Sequence, residues 1–321
     1  MKTYLLEIEA LCRAFEHVKE NHGSAGVDQV TISQFESCYD ENLYVLFCEL
    51  NENRYRPLPL LKILVDKGNG EARALCIPAV RDRVVQTAVL QIISPILERE
   101  FEDCSFGYRR GRSVKQAVQR VREYYERGFT WVIDADIDAF FDRVDHTLLL
   151  QKVRQYITDE KILGLIELWL KAEIWDGKTI TTLETGIPQG SPLSPILANL
   201  FLDELDEAFL NKGCRIVCYG DDFIVLCKSP EEAHLTRQFT HEILDKLHLK
   251  LDEEDVVSFD QGFKYLGVIF VRSMTLVPYD RKKRERKVLY YPPPLDMEAY
   301  RRRQAACGRC GCGRPDKPRE G

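Results

Sequence analysis

From Cys214 to Cys227 the chain reads CRIVCYGDDFIVLC, two short apolar runs that meet at Gly220, Asp221 and Asp222. Runs of this length, rich in Ile, Val and Phe and separated by a glycine-containing turn, predict a β-hairpin. Such a hairpin cannot stand alone in water and needs a sheet to join. Aspartate is common in tight turns, so one acid at the tip would need no further explanation. Two adjacent carboxylates at the tip of a hydrophobic hairpin raise a sharper question, because other acids along the chain could converge on them.

The 321 residues are 45% hydrophobic, enough for one large or two modest domains. The formal net charge is −6, yet the charges are segregated. Residues 105–122 hold Arg109, Arg110, Arg112, Lys115, Arg120 and Arg122 with no acid among them, and RKKRERK occupies Arg281 to Lys287. Two basic segments in an acidic chain point to a polyanionic partner. The eleven cysteines lie mostly in apolar runs, which fits reduced thiols in the cytoplasm. No run of about 18 apolar residues is present, so no membrane partner is expected. Cys307, Cys310 and Cys312 fall short of the four ligands of a structural zinc site.

Apolar periodicity predicts a helix over residues 4–20, a second over 82–102 interrupted at Pro95, and a basic helix over 115–127. WVIDADI, Trp131 to Ile137, reads as a strand, followed by one long helix from Thr147 to Ile174. A helix over 195–210 precedes the hairpin. Ser229 and Glu232 form a capping box that opens another helix to Leu247, and residues 263–271 read as one strand. The order strand, helix, helix, hairpin, helix, strand predicts an α+β fold with a split β-α-β, ferredoxin-like sheet. That sheet would set the hairpin tip beside the end of the Trp131 strand.

Three carboxylates gathered there would repel by a few kcal/mol per pair, even at an effective dielectric near 20. Two divalent cations would neutralise them, and Mg²⁺ suits carboxylates that leave room for phosphate oxygens. A two-metal site of that kind serves nucleotidyl transfer. Asp134, Asp136, Asp138, Asp142 and Asp145 all compete for the place beside Asp221 and Asp222, and alternation alone does not choose among them.

ADIDAFFDRVDH (135–146), GIPQGSPLSPILANLFLDELD (186–206), YGDD (219–222) and FKYLG (263–267) resemble the successive palm motifs of reverse transcriptases. Upstream, SAGVDQVTISQFE, YRPLPL, IPAVRDRVVQTAV and SFGYRRGRS resemble N-terminal and fingers motifs of group II intron-encoded and CRISPR-associated reverse transcriptases. The resemblance runs from Ser24 to Gly267 and implies a right-hand polymerase. Residues 1–130 would be an N-terminal extension and fingers, 131–271 the palm, and 272–321 a partial thumb or linker with a flexible tail. It implies that Asp136, Asp221 and Asp222 are the catalytic metal ligands, with Ile137 alongside, and that the cofactor is two Mg²⁺ ions replaceable by Mn²⁺. Asp142 and Asp145 then serve the start of the following helix. Phe141 would exclude a 2′-hydroxyl. Arg73, Lys67 and Gln189 would contact the nucleotide, and Arg109, Arg110, Arg112, Gly190 and Tyr219 the template and primer. The implied partners are an RNA template, a DNA or RNA primer, dNTPs, and either CRISPR adaptation proteins or intron RNA.

Two departures stand out. Glu71 occupies a place where the family often has a basic residue. Asp255 and Val256 stand where it often has lysine and threonine, the lysine being a candidate proton donor to pyrophosphate, so either the donor lies elsewhere, at Lys250 or Lys264, or turnover is slowed. The expected function is an RNA-directed DNA polymerase, in CRISPR spacer acquisition from RNA. The alternatives are a maturase-type fragment acting in intron mobility and a non-catalytic RNA-binding derivative. A nucleotidyl cyclase shares the metal-bearing palm but has no use for IPQGSPLSP or basic fingers.

Overall fold

The computed structural model describes residues 7–68, 70–277 and 287–306. In chain order the elements are α1 (Ile8–Glu20), α2 (Ile32–Ser37), α3 (Tyr39–Asn51), β1 (Leu60–Asp66), β2 (Ala72–Ile77), α4 (Val80–Leu97), α5 (Val114–Glu126) and β3 (Trp131–Ile137). Then come α6 (Phe140–Arg143), α7 (His146–Tyr156), α8 (Glu160–Leu170), β4 (Glu173–Trp175), β5 (Ile180–Thr182), α9 (Ser194–Asn211), β6 (Arg215–Tyr219) and β7 (Asp222–Cys227). The last are α10 (Pro230–Lys246), β8 (Leu251–Ser258), β9 (Phe263–Tyr265), β10 (Val268–Val271), β11 (Met274–Leu276), β12 (Val288–Tyr290) and α11 (Met297–Ala306). Over the described residues the chain divides into a first compact unit, 90–170 with 183–277, and a second, 7–89 with 171–182 and 287–306.

The first unit is built on a four-stranded sheet in the order β6-β7-β3-β8, with every pair antiparallel. This is the ferredoxin-like order expected from the sequence, with β3 at the centre. One face turns Cys218 and Glu254 toward helices: the Cys218 thiol donates to Asp206 Oδ1 of α9 (2.8 Å), and Arg237 of α10 donates to Glu254 (2.7 Å). The other face buries Val132, Val217, Ile224 and Leu226 against Ala117, Val121 and Tyr124 of α5 and against Phe263, Tyr265 and Phe270. Phe263 and Phe270 stack with centroids 5.1 Å apart. Burying each such side chain is worth roughly 1.5–3 kcal/mol, so this cluster holds the sheet firmly on that face.

Several local expectations are corrected. The closing strand of the sheet is β8, whose acidic sequence LDEEDVVS gave no strand signal, whereas residues 263–271 form two strands joined at Leu266 and Gly267. Both turn residues have positive φ (50° and 74°), the conformation of a tight two-residue hairpin. The helix drawn through 147–174 is two helices, because the Asp159 carboxylate accepts from the amides of Lys161 and Ile162 and starts a new one, and residues 173–175 form β4. Pro95 does not break α4: it lies inside the last turn, and the helix ends at Leu97. Ser229 caps α10 through the Glu232 amide, but Glu232 accepts from the Lys228 amide, one residue beyond the Ser229 amide that a capping box requires.

The second unit centres on β1. Strand β2 pairs antiparallel along it, β4 pairs parallel at Leu60 and Leu61, and β12 pairs antiparallel at Leu64 and Val65. Leu61, Ile63, Val65 and Val27 form its core, joined by Trp175, Leu295 and Met297. Trp175 Nε1 donates to the Pro293 carbonyl (2.8 Å), and the Tyr300 hydroxyl donates to Glu173 (2.7 Å). Residues 287–306, read in the sequence as a partial thumb or linker, thus supply an outer strand and the last helix of this unit. Buried Asp82 accepts from the Tyr55 hydroxyl (2.7 Å) and the Leu58 amide (2.9 Å), and burial pushes its carboxyl up to about 6. The basic run from Arg281 to Arg286 and Cys307, Cys310 and Cys312 lie outside the described residues.

Candidate active site

A distant acid does meet the hairpin, through the strand register. Asp136 of β3 lies directly opposite Asp222 of β7. Residues so placed on antiparallel strands point to one face with Cβ atoms about 4.5–5.5 Å apart. Gly220 and Asp221 form the two-residue turn between Tyr219 and Asp222, and Gly220 takes the positive φ (69°) that a glycine-first turn uses. Asp134 stands on the same face of β3, with Asp255 of β8 opposite it. Burial, then Asp134, Asp136 and Asp221, push the Asp222 carboxyl up to about 7. Asp134, set aside when family motifs chose among the acids, is therefore a fourth member of this charge cluster.

A bulge lies beside the hairpin, and two sets of contacts fix the hairpin itself. The sheet register slips between Asp136 and Ile137, a bulge of the kind that re-aims side chains beside functional sites. The Tyr265 hydroxyl, from the FKYLG motif, lies 3.0 Å from the Val217 carbonyl and 3.3 Å from that of Asp222, tying both hairpin strands together. On its other side the Cys218 amide donates to Cys104, and the Phe106 amide donates to Cys218, both at 2.9 Å. The FKYLG and SFGYRRGRS motifs do not by themselves reveal that Tyr265 and residues 104–106 brace the hairpin, since such contacts are long-range.

Phe141 is half-buried and packs edge-on against Phe140 (5.4 Å, 79°). The loop that carries Gln189 is laid beside it: the Ile187 amide donates to the Phe141 carbonyl (2.7 Å), and the Gly186 amide to that of Val144 (2.8 Å). A Cβ on Gly186 would stand 2.6 Å from the Phe141 carbonyl oxygen, and its φ is +85°, so only glycine allows this approach. Gln189 is half-buried and Gly190 exposed. Asp145 caps α7 by accepting from the amides of Thr147 (2.8 Å) and Leu148 (3.0 Å), the helix-start duty expected of it.

The arginines of the SFGYRRGRS segment divide. Arg109 is buried: its guanidinium donates to Glu98 (3.0 Å) and to the carbonyls of Phe101 (3.3 Å), Glu102 (2.6 Å) and Ser105 (3.0 Å). The expectation of a template contact is corrected for this residue, because its donors are already spent on the loop. Arg112 pairs with Asp103 (2.7 Å) over the Phe106 ring, and Arg110 is exposed. In the second unit Arg73 is exposed on β2, and Lys67 pairs with Glu71 (3.0 Å) at the β1–β2 turn. Lys250 and Lys264 are both exposed.

The donor set suits hard divalent cations: carboxylates on adjoining strand ends, whose mutual repulsion adds to burial in raising the Asp222 carboxyl. Among the described residues no three His, Cys, Asp or Glu side chains are grouped so that they could hold an ion by themselves. Mg²⁺ is ordinarily held by one or two carboxylates together with substrate phosphates and water, so a preformed protein cage is not required.

Residues 65–270 match the family model described as reverse transcriptase (RNA-dependent DNA polymerase). The chain belongs to the reverse transcriptase family, and its α+β fold is the right-hand polymerase type. It is 31% identical over 288 residues to Protein YkfC of Escherichia coli K12, covering 77% of this chain and 76% of that protein. It is 32% identical over 210 residues to the group II intron-encoded protein LtrA of Lactococcus lactis, covering 64% of this chain and 34% of that protein. The chain thus spans about a third of LtrA. A telomerase from Candida albicans, solved with a fragment of telomeric RNA, shares the fold at a TM-score of 0.55 and 12% identity, over 81% of this chain and 55% of that one. Among the described residues no helix is long and apolar enough to cross a membrane.

Proposed function

We propose that this protein is an RNA-directed DNA polymerase that extends a primer with dNTPs by nucleotidyl transfer, and that Asp136, Asp221 and Asp222, with the Ile137 main chain, hold two Mg²⁺ ions. The observation that carries the reading is the register pairing of Asp136 with Asp222. The bound ions would supply Lewis acidity for the attacking 3′-hydroxyl and the departing pyrophosphate. The residues of the chain do the positioning. Phe141, fixed through its carbonyl to the Gly186–Ile187 loop, sets a wall beneath the incoming sugar. Gln189 and Gly190 present a narrow backbone surface to the nucleotide and template.

Arg73 supplies a guanidinium suited to the triphosphate, with Lys67 assisting from the adjoining turn. Arg110, Arg112 and Tyr219 contact the nucleic acid. The resemblance to group II intron-encoded proteins supports a structured RNA partner of the intron type. A role with CRISPR adaptation proteins rests on the motif resemblance alone, and a cytoplasmic setting on the cysteine pattern. Primer extension on an RNA template with Mg²⁺ and dNTPs tests the assignment. Templated incorporation is expected, and a folded, RNA-binding protein that incorporates nothing would favour the non-catalytic derivative.

A further inference from the structure

Tyr108 stands next to the carboxylate hairpin in a conformation that its own chemistry does not favour. Its φ is +58°, the left-handed region where a bulky aromatic is a rare outlier. Its ring rests on the turn: a Cβ added to Gly220 would lie 2.8 Å from Tyr108 Cε2. Even so, 52% of the residue is open to solvent. A ring placed only to fill the core would be covered, and a residue chosen only for the left-handed turn would be glycine or asparagine.

The surrounding structure imposes this placement from several sides. A Cβ on Gly107 would sit 2.3 Å from the Gly220 nitrogen, so the two backbones touch and only glycine fits. The Asn199 side chain of α9 donates to the Gly107 carbonyl (2.9 Å). On the far side, Arg109 gathers three carbonyls of the same loop, and residues 104–106 pair with Cys218. Strained residues persist where their surroundings over-determine them, and they cluster at sites of function.

We infer that Tyr108 is a nucleic-acid contact of the polymerase site, its exposed face packing against the nucleotide at the primer 3′ end. The inference rests on the function proposed above, since the 3′-hydroxyl must reach Asp221 and Asp222, and Tyr108 sits on the residue preceding them. Stacking of a base on an aromatic ring needs a held, solvent-facing ring, which this loop provides.

The test measures the affinity of primer–template duplexes for the full chain, using a primer with an ordinary 3′ nucleotide and one with an abasic 3′ residue. Tyr108→Asn is the chief variant because asparagine tolerates the left-handed backbone, so its melting temperature should stay close to that of the wild type. Its affinity for the ordinary primer should fall about tenfold, the loss should shrink to about twofold on the abasic primer, and Tyr108→Phe should bind as the wild type does. A folded Tyr108→Asn that binds the ordinary primer normally, or loses as much on the abasic one, would overturn the inference. Should Tyr108→Asn not fold, Tyr108→Leu, which keeps apolar bulk without a π-face, takes its place with the same expected losses. Binding is read without turnover, so a wild-type protein that failed to incorporate dNTPs would sink the polymerase reading separately.

Discussion

Asp136 and Asp222 face each other across neighbouring antiparallel strands, and burial together with Asp134, Asp136 and Asp221 drives the Asp222 carboxyl up to about 7. Three further carboxylates around a half-buried fourth form an arrangement that cations should stabilise. Mg²⁺ is therefore expected to raise the melting temperature of the wild-type protein at pH 8. Asp222→Asn should remove most of that rise and lower dNTP incorporation at least about a hundredfold while RNA binding persists. Asp221→Ala should behave likewise, and full activity in either variant would refute the site.

Phe141 should act as the sugar gate. Replacing it by alanine is expected to reduce discrimination against rNTPs by about tenfold or more, measured as the ratio of kcat/KM values for matched dNTP and rNTP. Unaltered discrimination would leave the ring a packing partner of Phe140 only.

Arg109 and Arg110 are neighbours with opposite duties. Arg109→Ala leaves the Glu98 carboxylate and three carbonyls without their donor and should cost about 3–5 kcal/mol in denaturant unfolding. Arg110→Ala should unfold like the wild type yet bind RNA more weakly, with the salt dependence of log K reduced by about one. A reversed pattern would restore the template role to Arg109.

Asp206 offers a pH test away from the carboxylate cluster. Burial raises its carboxyl to about 7 although it accepts from the Cys218 thiol. A raised carboxyl binds its proton more tightly folded than unfolded, so its stabilising contribution is complete below about pH 4 and is lost as pH climbs through 7. Asp206→Asn should flatten the fall in stability between pH 4 and 7 by up to about one proton, read from unfolding free energies across that range. An unchanged slope would show that Asp206 ionises normally.

The sequence made β3 and the hairpin readable because β-branched residues crowd both, and the order of elements then predicted the sheet. Strand β8 escaped notice because its acids are accommodated by partners invisible in one dimension: Arg237 and His241 of α10 meet Glu254. The turn at Leu266 and Gly267 lacked an Asn-Gly or Asp-Gly signal, so two strands looked like one. Arg109, Arg110 and Arg112 look alike in the sequence, and only the folded loop distinguishes the buried one. Family motifs singled out Asp136, which the register sets opposite Asp222, but gave no hint that Asp134 adds to the charge.

Strand β12 joins β1 from far along the chain. Leu64 pairs with Tyr290, so the second unit's sheet gains its outer strand only after more than two hundred intervening residues have been made. During translation the upper edge of β1 must wait, exposed, while the whole carboxylate-bearing unit emerges from the ribosome. Pairings this distant in sequence slow assembly, and an edge left waiting is open to a strand from another chain.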